Sequence, residues 1–176
     1  PLILSHEYLN PGMVSAVLIA FAAFSACASA IYIINDFFDL PLDRRHPTKR
    51  NRPIASGLIS FPFGFACAGL LLATGFGLAM LLPWAFVGVL GVYLVTTTAY
   101  TFSIKRMLLL DVLTLAGLYT MRIVAGTAAT GIEVSYWLLA FGSFFFLSLA
   151  LVKRYVELRG SDLQEGERIA GRGYRA

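Results

Sequence analysis

The sequence predicts an all-α, polytopic membrane protein. Hydrophobic residues make up 58% of the 176 positions and charged residues only 14%. Mean hydropathy is +0.75, too apolar for an ordinary soluble domain. Five apolar stretches, at 13–35, 60–80, 84–103, 108–130 and 136–153, approach the roughly 20 residues a helix needs to cross a bilayer. The cations, finally, fall with one exception in alternate connections and in the stretch after the last span.

Residues 1–11 read as the end of an earlier apolar element and its turn. The chain opens on Pro1 and closes in the polar run Gly160 to Ala176. We therefore expect positions 1–176 to be an incomplete piece of one membrane-embedded domain, with its start and its last spans missing. The first stretch contains Ala26-Cys27-Ala28-Ser29-Ala30, which resembles a signal-peptidase site. No basic region precedes it, and the apolar run continues through Ile34, so a spanning helix is the better reading.

Gly57 and Pro62 bracket the start of the second span, Pro83 separates the second from the third, and Gly131 with Glu133 separates the fourth from the fifth. Such short connections make the helices antiparallel neighbours. Glycines in the second and third spans, such as Gly69, Gly75 and Gly88, suit close helix approach. Cys27 and Cys67 lie in apolar runs with no CxxC or Cys/His spacing, so neither a disulfide framework nor a zinc site is expected.

Charge sets the topology. Of the 14 Lys and Arg residues, five lie in 44–52, two at 105–106 and six in 153–175; Arg122 alone is mid-span. The turns near 82 and 132 carry none. With five spans the three basic stretches share one side, which the positive-inside rule makes cytoplasmic. A multi-pass protein of the cytoplasmic membrane is expected, its partner surface the lipid bilayer and not a nucleic acid.

The polar residues on that side carry the chemistry. Asn35, Asp36, Asp39 and Asp43 follow directly on the first span. Asn35/Asp39 and Asp39/Asp43 are i,i+4 pairs, so a helix would place them on one face. Pro41 removes a donor and clashes one turn back; the helix should end or kink near Phe38–Leu40, with Asp43 in the following turn. Carboxylates at a membrane edge are costly unless they hold something positive. Oxygen donors without His or Cys suit Mg²⁺, which binds through one or two carboxylates plus substrate phosphates.

Arg44, Arg45, Lys49, Arg50 and Arg52 come next, as topology anchors or as a clamp on a diphosphate. Tyr100 and Lys105 end the third span on the same side. Lys105 can hold a phosphate or simply snorkel. Asp111 opens the fourth span, and Arg122 lies about three turns further along the same face. An Arg so deep must face the bundle interior or a cavity, which suits an anionic part of a substrate. Lys153 and Glu157 end the fifth span as an i,i+4 pair or a second phosphate half-site, ahead of Asp162, Glu165 and Glu167.

The run Asn35-Asp36-x-x-Asp39-x-x-x-Asp43, then Arg45-His46-Pro47-Thr48-Lys49-Arg50-x-Arg52-Pro53-Ile54-Ala55-x-Gly57, resembles the first aspartate-rich motif of the UbiA superfamily of intramembrane prenyltransferases. With Lys153-Arg154-Tyr155-x-Glu157-Leu158, it is most similar to the branch whose members join a polyprenyl phosphate to a phosphoribosyl group. The resemblance covers essentially the whole chain. It implies a nine-span bundle with a lipid-open cavity and a Mg²⁺-bridged diphosphate. By position Asn35, Asp36, Asp39 and Asp43 would be the metal and diphosphate residues, the three aspartates catalytic. Asn35, Lys49, Arg50, Arg52, Lys105, Asp111, Arg122, Lys153 and Glu157 would serve substrate binding. The family's Tyr-x-x-x-Lys motif is one residue longer here, between Tyr100 and Lys105, which puts Tyr100 in doubt. Its Asp-x-x-x-Asp second motif is replaced by Lys153 to Glu157, and Pro41 is unusual.

The expected reaction is Mg²⁺-dependent transfer at a diphosphate site. Either a prenyl group leaves a polyprenyl diphosphate for an acceptor such as an aromatic, or a polyprenyl phosphate attacks phosphoribosyl pyrophosphate. The first motif serves both; the departure at Lys153–Glu157 tilts toward the sugar chemistry. A CDP-alcohol phosphotransferase would show an Asp-Gly-x-x-Ala-Arg opening that is absent here. A transporter with buried Asp and Arg would carry broken helices at mid-membrane, whereas these acids gather at one face.

Overall fold

The computed structural model describes residues 2, 3, 6–133 and 135–160. The described chain is helical throughout: α1 (Pro11–Phe38), α2 (Leu40–Asp43), α3 (Phe61–Ala79), α4 (Trp84–Phe102), α5 (Leu108–Thr130) and α6 (Tyr136–Gly160). Short 3-10 turns lie at Glu7–Leu9, Lys49–Asn51 and Ile104–Arg106. The five helices other than α2 are long and apolar enough to cross a membrane, as the hydropathy pattern predicts.

Local chemistry sets the helix ends. Asn10 caps α1, its side-chain oxygen accepting from Gly12 N at 3.1 Å and Met13 N at 3.4 Å, and Pro11 fits the first turn, where no intrahelical N–H is needed. α1 then runs for 28 residues, about 42 Å at the helical rise, against a hydrocarbon core of roughly 30 Å. The helix is therefore longer than the core it would cross. α5 stops at Gly131, which takes a left-handed φ of 71°, a conformation that costs glycine little. α6 continues to Gly160, beyond the span end expected at 153.

Helix α1 is the hub, packing on α3, α4 and α5, while α5 packs in turn on α4 and α6. Its inward face is built of small residues, Ala20, Ala23, Cys27 and Ala28, with Phe24 among them. They meet Phe86, Leu90 and Tyr93 of α4 and Leu118, Ala125 and Ala129 of α5. The rings of Phe24 and Tyr93 lie 4.2 Å apart, centroid to centroid. Outward, α6 exposes Trp137, Phe141 and Phe144, as a lipid-facing surface would.

The basic segment after α2 is folded. Arg44 Nε donates to the Ala55 carbonyl at 3.1 Å, and His46 Nδ1 accepts from the backbone N–H groups of Thr48 at 3.3 Å and Lys49 at 3.4 Å. Ile54 and Ala55 are buried beneath it. The segment thus returns toward the end of α1.

Close approach of α1 and α3 depends on Gly75. A Cβ there would lie 2.5 Å from Cys27 Sγ and 2.9 Å from the Ala23 carbonyl. The backbone contact cannot be relieved by a rotamer change. Gly75→Ala should lower unfolding free energy in detergent by about 1–3 kcal/mol. Gly69→Ala, whose Cβ would meet nothing within 4 Å, should be nearly neutral in the same measurement.

Candidate functional site

The site is assembled where α1 runs out. Asn35 and Asp36 occupy its last turn and Asp39 caps it, φ −85° and ψ 0°. The i,i+4 register holds, with Asn35 Nδ2 donating to Asp39 Oδ2 at 3.1 Å. Pro41 sits in the first turn of α2, where its missing N–H costs nothing. The proline therefore breaks the helix, as expected. A new helical turn follows, so Asp43 lies in α2 and not in an open turn.

Two cations come to the carboxylates from distant segments. Lys105 Nζ donates to Asp39 Oδ1 at 2.7 Å, across 66 residues. Arg52 Nη1 lies 3.2 Å from Asp36 Oδ1 and 2.9 Å from Asp43 Oδ2. The Arg52–Asp36 pair is partly exposed, and such a contact alone contributes little stability. Its consequence is geometric: it closes the basic loop against the end of α1.

Beside these pairs lies a cavity of about 280 Å³. Asn35, Asp36, Asp39, Arg52, Lys105 and Lys153 line it together with Tyr100 and, deeper, Tyr93, Tyr119 and Arg122. The Arg122 guanidinium lies 4.9 Å from the Tyr119 ring centroid and 6.0 Å from that of Phe24. Aromatic faces offset part of the cost of a cation at this depth. A second, mostly apolar cavity of about 440 Å³ runs between α1 and α5, past Val17, Phe21 and Ala28. Tyr32 and Arg122 line both cavities, so polar chamber and apolar groove meet at these two side chains.

Seven of the sequence-expected residues thus meet at one cavity: Asn35, Asp36, Asp39, Arg52, Lys105, Arg122 and Lys153. Others are placed differently. Asp43 is buried against Arg52, whose Nη1 also reaches Asp36, but it lies outside the cavity lining. Lys49 and Arg50 are exposed on their 3-10 turn and also lie outside the lining. Asp111 is fully buried behind the wall: Tyr100 Oη donates to its Oδ1 at 2.7 Å, and Arg154 Nη2 donates to the same oxygen at 2.8 Å. Asp111 and Arg122 share the inward face of α5, but only Arg122 reaches the chamber. The Glu157 side chain, and the stretch with Asp162, Glu165 and Glu167, lie outside the described residues.

Sequence reasoning missed Arg154, Tyr32, Tyr93 and Tyr119, and left Tyr100 in doubt. Tyr100 does line the chamber; the additional residue before Lys105 falls where α4 gives way to the 3-10 turn Ile104–Arg106. Arg154 had one usable signal, since Asp111 is an opposite charge at an apolar helix end on the same membrane side. Tyr32, Tyr93 and Tyr119 had none, because aromatic residues in spanning helices are ordinary.

Among the described residues, no three His, Cys, Asp or Glu side chains gather closely enough to form a metal site by themselves. Asp36 and Asp39, with the Asn35 amide, nevertheless supply an oxygen-only donor set at one cavity. That set fits a hard cation such as Mg²⁺, which takes its remaining ligands from water and substrate phosphate.

The UbiA prenyltransferase family matches residues 2–168. A decaprenyl-phosphate phosphoribosyltransferase from Corynebacterium glutamicum is 39% identical over 151 residues, 85% of this chain and 46% of that protein. The Mycolicibacterium smegmatis protein of the same name is 37% identical over 153 residues, 87% of this chain and 48% of its own length. An uncharacterised protein y4nM from Sinorhizobium fredii is 49% identical over 154 residues, 88% of this chain and 30% of that protein. The chain thus spans from 30% to about half the length of these relatives. A family match across nearly the whole sequence, on a bundle of spanning helices with an acidic and basic chamber at one end, makes this chain a member of the UbiA prenyltransferase family.

Proposed function

We propose that the intact protein is a Mg²⁺-dependent transferase of the cytoplasmic membrane that joins a polyprenyl phosphate to phosphoribosyl pyrophosphate. The observation that carries this reading is the junction at Arg122. A chamber holding the Asp36–Arg52 and Asp39–Lys105 pairs and an apolar groove are both lined by this residue. A reaction between a water-soluble diphosphate and a lipid phosphate needs those two environments side by side. The names of the Corynebacterium and Mycolicibacterium relatives support the choice of substrates. The basic connections 44–52 and 105–106 support a cytoplasmic chamber, where a soluble sugar phosphate is accessible.

In this reading the bond from the ribosyl anomeric carbon to the diphosphate breaks, and a lipid phosphate oxygen forms the new bond to that carbon. Asp36 and Asp39, with Asn35, would hold Mg²⁺, which neutralises negative charge on the departing diphosphate. Arg52 and Lys105 stand beside those carboxylates and donate to phosphate oxygens as charge develops there. Lys153 adds a further cation at the same chamber. Arg122 is suited to the lipid phosphate, its polyprenyl chain lying along Phe21, Ala28 and Val17. The faces of Tyr119 and Phe24 lie beside that guanidinium and offset part of the cost of its charge at this depth.

Two measurements test this. Full-length protein in lipid nanodiscs should convert labelled phosphoribosyl pyrophosphate and a polyprenyl phosphate into a labelled lipid only with Mg²⁺; a prenyl diphosphate with an aromatic acceptor should give no product. Failure of the first pair ends the reading, and success of the second replaces it with prenyl transfer. Asp39→Asn should then cost roughly 100-fold in kcat, and Lys105→Met a similar amount, as expected for groups that stabilise developing charge.

Arg122→Gln should act on one substrate only. It should raise KM for the polyprenyl phosphate about tenfold or more, the worth of a hydrogen bond to a charged group. KM for phosphoribosyl pyrophosphate should stay within twofold of wild type. Equal effects on both substrates would place the lipid phosphate elsewhere.

A further inference from the structure

Asp111 and Arg154 form a buried ion pair, at 0% and 4% exposure. Arg154 Nη2 donates to Asp111 Oδ1, and Nε lies against Oδ2. Burying two charges is expensive, and even a good pair returns little net stability over an apolar substitute. What such a pair fixes is geometry, and two features of the chamber depend on this one. Tyr100 Oη donates to Asp111 Oδ1 at 2.7 Å and accepts from Arg154 Nη2 at 2.9 Å. A guanidinium only donates and a carboxylate only accepts, so the direction of the Tyr100 proton and the place of its ring in the chamber wall are set together. The second feature is the rotation of α6. Adjacent helical residues project about 100° apart. With Arg154 held at Asp111 on α5, Lys153 is turned to the chamber, whose lining it joins. α6 packs mainly on α5, so this contact is the polar end of the interface that orients it.

We propose that Asp111 and Arg154 are positioning residues for anion binding, orienting Tyr100 and setting the rotation of α6 that delivers Lys153 to the chamber. Neither lines the chamber itself. The proposal rests on the reading that the chamber takes a diphosphate, and it adds two residues that act on it indirectly.

The test uses full-length protein in nanodiscs, with pyrophosphate in the presence of Mg²⁺ as the probe and affinity read by calorimetry. Arg154→Lys keeps the charge but loses the planar fork; Asp111→Asn keeps the shape and provides a second variant should the first not fold. Each should weaken pyrophosphate about tenfold, in the range of coupled neighbouring residues. In a Lys153→Met background the same changes should cost less than twofold further, because the cation they deliver is gone and the Tyr100 hydroxyl is engaged with the pair itself. A 3-fluorotyrosine at position 100 should also shift its ¹⁹F resonance in both variants. Additive losses, or a lower melting temperature with pyrophosphate affinity unchanged, would overturn the proposal and leave the pair a structural contact. Coupling without phosphoribosyl transfer would remove the functional reading and keep this one. Transfer with additive losses would do the reverse, and a wild-type protein that binds no pyrophosphate would overturn the positioning role.

Discussion

The structure turns on one electrostatic constraint. A very apolar helix, α1, ends in Asn35, Asp36 and Asp39, where a spanning helix would leave the hydrocarbon. Carboxylates at that boundary need positive partners, and α1 supplies none in its last turn. The partners must come from elsewhere in the chain. Lys105 arrives from the turn between α4 and α5, and Arg52 from the loop that precedes α3. Meeting this demand draws the connections on one side of the bundle together. The chamber is the space they enclose.

Small residues make the arrangement possible. Ala20, Ala23, Cys27 and Ala28 on α1, with Gly75 on α3, let backbones approach closely. In lipid, where no hydrophobic force pulls helices together, such van der Waals contact is a main source of association. The same close packing holds α1 beside α5 and so sets the groove that meets the chamber at Tyr32 and Arg122. Packing and chemistry are linked through that one helix.

Much of this was legible in the sequence, for identifiable reasons. Apolar length marks spanning helices because the bilayer demands it, and all five appear in the structure close to their expected bounds. The i,i+4 spacing of Asn35 and Asp39 sufficed to predict their contact, now seen at 3.1 Å. Pro41 announced the break after Phe38. It could not announce that α2 begins at Leu40 and carries Asp43 to Arg52, since that depends on where the returning loop lies. The sequence assigns Asp111 to substrate binding, because its partner Arg154 is 43 residues away and no local spacing connects them.

The sequence by itself determined the apolar spans, the gathering of the basic connections at one end of the bundle and the acidic–basic character of the site. Each follows from short-range rules: hydrophobic length, charge asymmetry and helical periodicity. Only the tertiary structure decided which charges face the chamber and which neutralise one another behind its wall. Asp36 and Asp39 line the chamber while Asp43 and Asp111 do not, though all four are aspartates at helix ends on one side. The difference is set by helix rotation and by long-range ion pairs. Neither quantity is written in local sequence, because both depend on how separate helices settle against one another.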